Sequence, residues 1–346
     1  MIDSSGSQKI EMLTTVWKRL LHRTTINKED NFFDIGGDRS SAERLFTEIA
    51  AVYGRELSPL LIYRAPTIAA LAALLSQEGP ITVPPLLLLK AATQGPPLFI
   101  AHGLGGTVMG FSELVRRMRI AHPIYGMQAR GVDGLTEPLN RIEDMAQYHL
   151  EAIQRLQPCG PYFLTGYSLG GLIALEIAQR LSKNGEKIGL LAMLDSYPDR
   201  HHLSLAQRAR LDWRLAKQHI INFMRVDERR RRNAVAKVIS PYARNQVESL
   251  RSIARAMYQV KDEQYRALRN YRPRFYEGKV KFVKAAITPY FPEDPVAVWG
   301  HLTRQFELAT VPGEHVEMLT TQVDCVASLL ERYVVQALSE CQRNLL

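Results

Sequence analysis

Two short stretches of this chain hold side chains at spacings that could do chemistry. Gly166-Tyr167-Ser168-Leu169-Gly170 fits G-x-S-x-G, in which small residues flank a strained strand-to-helix turn that pushes a serine hydroxyl into solvent. A serine hydroxyl is a poor nucleophile until a histidine takes its proton, and the imidazole needs a carboxylate to fix its tautomer and stabilise its charged form. On such a turn the expected chain order is serine, acid, histidine. Asp195 ends the apolar run IGLLAMLD, and His315 follows FELATV within VPGEHVEML, so both fall in that order. The second stretch, FFDIGGDRSSAERLF, sets Gly36-Gly37-Asp38 directly before Arg39, Ser40 and Ser41 at a predicted helix start. A hydroxyl there could cap the helix or carry a covalent group.

Acyl transfer also needs donors for a developing oxyanion. One is the amide after the nucleophile, Leu169; the other belongs to the loop after the first strand, His102-Gly103-Leu104-Gly105-Gly106, with Leu104 the first choice and Gly103 the alternative. The loop, rather than the His102 imidazole, carries this role. The seven histidines other than His102 and His315 lack such placement and read as surface or packed side chains. Asp195 could equally cap a helix in LDSYPD on position alone, and its place in the serine, acid, histidine order is what favours the catalytic role.

These residues need elements to hold them. Tyr162-Phe163-Leu164-Thr165 supplies a strand before the serine, and LGGLIALEIAQRLSKNG supplies a helix after it, with Leu172, Leu175, Ala178 and Leu181 on one face and Asn184-Gly185 at its end. Around them nearly all-apolar strands alternate with helical stretches from LFIAHGLGG onward, which predicts a parallel sheet covered on both faces. Residues 200 to 270 interrupt that alternation with a long, mainly helical, Arg-rich insertion before KVKFVKAAITPYF and FELATV resume it. Upstream, Met12, Leu13, Val16, Trp17, Leu20 and Leu21 recur at helical spacing from Glu11 to about Leu21. A second helix is predicted from Ser40 to Tyr53, burying Ala42, Leu45, Phe46 and Ile49. A third starts at APTIAALAALL, with Pro66 in its first turn. The result is a small all-α bundle over residues 1–78, a Pro- and Gly-rich linker over 79–96 whose apolar centre docks on a neighbour, and an α/β domain over 97–346.

The bulk properties fit this division. The chain has 346 residues, 46% hydrophobic and 23% charged, and no apolar run approaches the roughly 18 to 20 residues of a membrane span. MIDSSGSQKIEML lacks a basic region followed by an apolar stretch, so no secretory signal is expected. Cys159, Cys325 and Cys341 are odd in number and far apart, against a disulfide framework or a Cys-rich metal site and in favour of a cytoplasmic setting. The net charge of +9 permits an acidic partner, but charge is dense only at Arg229 to Arg232, which reads as a solvated helix face. No zinc-finger spacing, aromatic RNA-binding signature or basic heptad supports nucleic-acid binding.

With these residues in view, the chain resembles a peptidyl carrier protein fused to a type I thioesterase domain, as found at the end of nonribosomal peptide synthetases. PLFIAHGLGG, IYGMQARG, GPYFLTGYSLGGLIALEIA, LLAMLDSYP and GEHVEML carry the resemblance in the second domain; DNFFDIGGD, the A-E-R-L that follows it, and RAPTIAALAALL carry it in the first. It implies an α/β-hydrolase with a helical lid, residues 200 to 270. It implies the roles derived above for Ser168, Asp195 and His315. The chemistry it implies is transfer of an acyl or peptidyl chain from a phosphopantetheine thiol to Ser168, then release by water or an internal nucleophile. Implied partners are an acyl- or peptidyl-carrier domain and upstream synthetase modules, with 4'-phosphopantetheine as the cofactor and no metal.

The carrier departs from the family pattern at one point. The family expects serine immediately after Gly-Gly-Asp, and here Arg39 holds that place while Ala42, Arg44 and Leu45 keep their offsets. Ser40 is the candidate attachment residue, turned about 100° from the family's position on a helix of 3.6 residues per turn and expected to face a buried direction. Either Ser40 is modified through a locally shifted helix start, or the carrier is a non-functional remnant, or the residue has been altered; the preserved offsets favour impaired or absent modification. Two other functions use the same features: a serine esterase or lipase acting on oxygen esters, and a non-catalytic module that docks acidic carriers on a basic lid.

Overall fold

The computed structural model describes residues 4–213 and 251–343. The Arg229–Arg232 run and the middle of the expected lid lie outside the described residues.

The chain opens with three helices, α1 (Ser4–Leu20), α2 (Arg39–Tyr53) and α3 (Ile68–Leu75). α1 starts well before the Glu11 expected from periodicity, because its first turns are polar and leave no apolar stripe to read. Leu13, Trp17, Leu45, Phe46, Ile68 and Leu71 close the bundle core. α3 begins two residues after Pro66, which therefore lies just outside the helix and not in its first turn: Thr67 is the N-cap and its hydroxyl accepts from Ala70 N–H. The loop before α2 is anchored by Phe32, fully buried and edge-on to Trp17 with ring centroids 4.9 Å apart. A Cβ on Gly37 would lie 2.3 Å from the Phe32 ring, so this close approach requires glycine.

The second domain is a seven-stranded sheet in the order β1-β3-β2-β4-β5-β6-β7, formed by β1 (Leu86–Lys90), β2 (Leu98–Ala101), β3 (Ile124–Met127), β4 (Tyr162–Tyr167), β5 (Ile188–Leu194), β6 (Tyr276–Ile287) and β7 (Thr303–Glu314). All neighbouring strands are parallel except β1, which runs antiparallel to β3 at the edge. β1 lies inside the 79–96 stretch expected to be linker, and its apolar LLLLK docks by main-chain pairing as well as by side chains. Val83 N–H also donates to Asp133 Oδ2 at 2.9 Å, tying the chain before β1 to the domain it enters.

Side chains of the central strands alternate between two cores, as a sheet covered on both faces demands. Leu98, Ile100, Ala192 and Leu194 face one core, shared with α4 (Ser112–Arg117) and the C-terminal α9 (Val323–Arg343); Phe99, Ala101, Leu191 and Met193 face the other, shared with α5 (Ile142–Leu156) and α6 (Leu169–Lys183). Of the expected lid, the described parts include a 3-10 turn at Arg200–His202 and a long amphipathic helix, α7 (Arg251–Asn270). A short α8 (Pro295–Trp299) precedes β7. No helix among the described residues is long and apolar enough to cross a membrane.

Candidate active site

Ser168 stands alone between β4 and α6 with φ 56° and ψ −121°, a conformation that non-glycine residues rarely adopt. The turn is held by Ser168 N–H donating to Leu194 O at 2.9 Å on the neighbouring strand. It is possible only because the next turn of helix comes very close: a Cβ on Gly170 would lie 2.3 Å from Ala101 O and 2.5 Å from His102 O. The same approach brings the start of α6 against the His102–Gly106 loop, so the backbone amides of Leu169 and Leu104, the two expected oxyanion donors, belong to adjoining segments. Gly103, the alternative, packs beside Tyr167.

Asp195 follows the last residue of β5 with φ 47° and is completely buried. No helix starts after it, which removes the capping role; Asp199 instead caps the short turn at Arg200–His202. One Asp195 oxygen accepts from His315 Nδ1 at 2.8 Å and the other from Ala285 N–H at 3.3 Å. His315 opens a 3-10 turn, His315–Leu319, fixed by the reciprocal Glu314–Glu317 cap. Pro312 and Gly313 lie within the end of β7, and the chain turns at His315 itself. With Nδ1 donating to Asp195, the other ring nitrogen, Nε2, is the acceptor of the neutral imidazole.

Tyr167 and Phe291 hold that imidazole from the side. Tyr167 stacks on His315 with centroids 4.5 Å apart and donates its hydroxyl to His315 O at 2.9 Å; Phe291 packs on the same ring at 4.8 Å. Tyr167 occupies the variable place before the serine, so the motif marked its position but not its contact. Phe291 carries no sequence signal.

Behind the His102–Gly106 loop lies a small cavity whose lining includes His102, Tyr148, His149 and Gln264. His102 Nδ1 bonds to Gly103 O at 2.9 Å and its ring is fully buried, 5.8 Å from the His149 ring. Burial pulls the His102 imidazole down to about 4, and it pulls His149 well below the ordinary histidine range, with the neighbouring His102 adding to the effect. Both rings are neutral at neutral pH. Since His102 protonates near 6.5 when unfolded and near 4 when folded, the unfolded chain binds more protons between those values, and stability falls as pH drops through that window. The His102 contribution reaches on the order of 3 kcal/mol at pH 4, and His149 acts with the same sign. Urea midpoints at pH 7 and 4.5 measure this. A His102→Gln/His149→Gln variant is expected to lose less stability over that interval than the parent chain.

On the carrier, Asp38 rather than Ser40 caps α2. Its carboxylate accepts from Ser41 N–H at 2.8 Å while Ser41 Oγ accepts from Asp38 N–H at 2.8 Å. Burial pushes the Asp38 carboxyl up, but the Ser41 hydroxyl and amide outweigh it and leave it below the usual carboxylate range. Ser41 is buried by this arrangement, and Ser40, expected to face inward, is exposed. The reason is helical phase: the buried stripe of α2 runs through Ser41, Ala42, Leu45, Phe46 and Ile49, and Ser40 lies with Arg44, four residues on, along the exposed face. Arg39 pairs with Glu43 one turn on, at 2.8 Å. Ser40 is thus an exposed serine at the start of α2.

A mostly parallel sheet, covered on both faces and carrying a strained serine at the turn after its central strand, defines an α/β-hydrolase. More narrowly, the chain belongs to the thioesterase domain family, which it matches over residues 96–334, and residues 11–75 match the phosphopantetheine attachment site family. It is 37% identical over 200 residues to a dimodular nonribosomal peptide synthase of Bacillus subtilis, covering 57% of this chain and 8% of that protein. It is 34% identical over 214 residues to malpibaldin synthetase of Mortierella alpina, covering 61% of this chain and 4% of that one. The chain thus spans less than a tenth of these relatives. Among solved structures, a four-domain nonribosomal peptide synthetase bound to AMP and glycine aligns over 94% of this chain and 26% of its own, with TM-score 0.57 and 22% identity. The NocB thioesterase domain, in covalent complex with a fluorophosphonate nocardicin G analog, aligns over 70% of this chain and 95% of its own, with TM-score 0.51 and 18% identity. At these identities the likeness is one of fold.

Proposed function

We propose that this chain releases an acyl or peptidyl group from a phosphopantetheine thioester through an acyl-serine intermediate on Ser168, in nonribosomal peptide-type biosynthesis. The observation that carries this is the buried Asp195 carboxylate bonded to His315 Nδ1 beside the strained Ser168 turn. In this mechanism Ser168 Oγ attacks the acyl carbonyl as His315 Nε2 takes its proton, and the negative charge that develops on the carbonyl oxygen is received by the amides of Leu169 and Leu104. Asp195 stabilises the imidazolium. His315 then returns the proton to the departing thiol sulfur, and repeats the cycle with water or an internal nucleophile to free the product from Ser168. The pantetheine thiol supplies the activated ester. Labelling by a fluorophosphonate confined to Ser168, together with turnover of acyl-pantetheine thioesters, is the expected result; esters of p-nitrophenol cleaved with no action on thioesters would overturn it.

The division that fits this mechanism is a carrier bundle at 1–78, a connector at 79–96 that lends β1 to the sheet, and a hydrolase domain at 97–346 with its lid at about 200–270. The proposed partners are an acyl- or peptidyl-carrier domain and upstream synthetase modules. On this carrier Ser40 would hold the phosphopantetheine, but it stands one residue, about 100° around the helix, from the family's attachment point, which Arg39 fills. Modification is therefore expected to be impaired, and substrate to arrive on another carrier. Intact mass after treatment with a phosphopantetheinyl transferase and CoA is expected to show little or no added phosphopantetheine, and an Arg39→Ser variant to gain one at residue 39. Full loading on Ser40 in the parent chain would contradict this.

A further inference from the structure

The His102–Gly106 loop is held from two sides, by different parts of the chain. From the sheet side, Gln128 donates its side-chain amide to Gly106 O and accepts from Val108 N–H at 3.0 Å, and Ala129 N–H also donates to Gly106 O at 3.1 Å. From the other side comes α7, the last helix of the lid. Gln264 on α7 is 1% exposed, and its Oε1 accepts from Gly105 N–H at 2.8 Å, a contact spanning 159 residues of sequence. Val260, one turn earlier, packs so close to Gly106 that a Cβ there would lie 2.8 Å from it.

The Gly105 amide is a sensitive place to hold. Gly106 N–H donates to Gly103 O at 3.1 Å, closing a turn whose central peptide joins Leu104 to Gly105, and Gly105 has φ +94° as a type II turn requires. Type I and type II turns differ by a flip of that central peptide, and the acceptor on Gln264 selects one orientation. Leu104, whose N–H is the proposed oxyanion donor, shares this turn, so its geometry is set by the same bond. Gln264 is also an awkward residue to bury: its Nε2 has no hydrogen-bond partner among the described residues, a burden that a leucine or methionine of similar size would avoid. A side chain chosen for packing would be apolar. A buried amide whose oxygen is satisfied by the Gly105 N–H points to the loop as its purpose.

We propose that Gln264 is a positioning residue for acyl transfer, through which the lid helix α7 holds the central peptide of the Gly103–Gly106 turn and thereby aims the Leu104 amide at the developing oxyanion. The inference rests on the catalytic role proposed for Ser168. It makes oxyanion stabilisation depend on the seating of α7, so that a displaced lid helix would lower the rate of acyl transfer as well as alter access to Ser168.

The test uses the full chain and three variants. Gln264→Met and Gln264→Leu remove the acceptor while keeping apolar bulk, and Gln264→Glu keeps an acceptor oxygen whether ionised or not. With an acyl-pantetheine thioester, kcat of the first two is expected to fall roughly 10- to 100-fold, the cost of misplacing a reacting geometry by about an ångström. KM should stay within about twofold and the thermal midpoint should not fall, as transition-state rather than ground-state contacts are lost. Gln264→Glu should restore most of the rate. Wild-type kcat in a folded Gln264→Met or Gln264→Leu chain, or an equal loss in Gln264→Glu, would overturn the proposal. Labelling of wild-type Ser168 by a fluorophosphonate separates the two levels: if it occurs and the variants are unaffected, the role of Gln264 alone fails, whereas no labelling removes the catalytic reading on which it rests.

Discussion

Ser168→Ala is expected to lower kcat toward acyl-pantetheine thioesters by on the order of 10⁶-fold, the loss seen when the nucleophile of a serine triad is removed. In the proposed mechanism the alanine deletes the atom that forms the acyl intermediate, while the proposed oxyanion donors and the substrate surface remain and leave a residual acceleration of about 10³- to 10⁴-fold over water. Two features make the loss specific to chemistry. Ser168 is half-buried at a turn whose strain comes from backbone approach at Gly166 and Gly170, so removing the hydroxyl leaves those contacts in place. Ser168 N–H still donates to Leu194 O, because that bond uses the main chain. Measured KM and the thermal midpoint should therefore change little, and no acyl adduct should appear by intact mass after incubation with a thioester. Turnover within tenfold of the parent would remove Ser168 from the mechanism.

How far the sequence disclosed this site depends on whether each residue's role is local. Ser168 announces itself because the elbow is a contiguous pattern with its strand and helix on either side. Asp195 and His315 lie 120 residues apart, yet strand ends in a parallel sheet share one edge, so chain order was enough to pair them. Gln264 and Gln128 were invisible for the opposite reason. A glutamine on an amphipathic helix or after a short strand has no spacing that separates it from any surface amide, and its meaning comes only from contacts made across the fold. β1 was hidden by its flanking prolines and by pairing with β3, a partner some 35 residues on whose choice no local pattern records. Ser40 was misplaced because its direction was taken from the family's offset and not from the local stripe: Ala42, Leu45, Phe46 and Ile49 set the buried face of α2, and Ser40 lies with the exposed Arg44 outside it.

Asp195→Asn is the sharper test of the proposed triad, with an expected fall in kcat of about 10⁴-fold and little change in fold. Asparagine is nearly isosteric, and its carbonyl can still accept from Ala285 N–H as the buried carboxylate does. What changes is the other position, 2.8 Å from His315 Nδ1, where an oxygen that only accepts is exchanged for an amide nitrogen that only donates. To avoid two donors facing each other, the imidazole must carry its proton on Nε2 and present a bare Nδ1, which is the tautomer unable to take a proton from Ser168. The tautomer cannot be recovered by swinging the ring, because Tyr167 and Phe291 pack against it. Raising the pH offers no escape either, since the lost negative charge on residue 195 is the one that would stabilise the imidazolium in the transition state. A variant that binds substrate normally and labels with fluorophosphonate at a rate reduced in parallel with turnover meets every step of this argument. Wild-type labelling with impaired turnover would instead confine Asp195 to the second, deacylating half of the reaction.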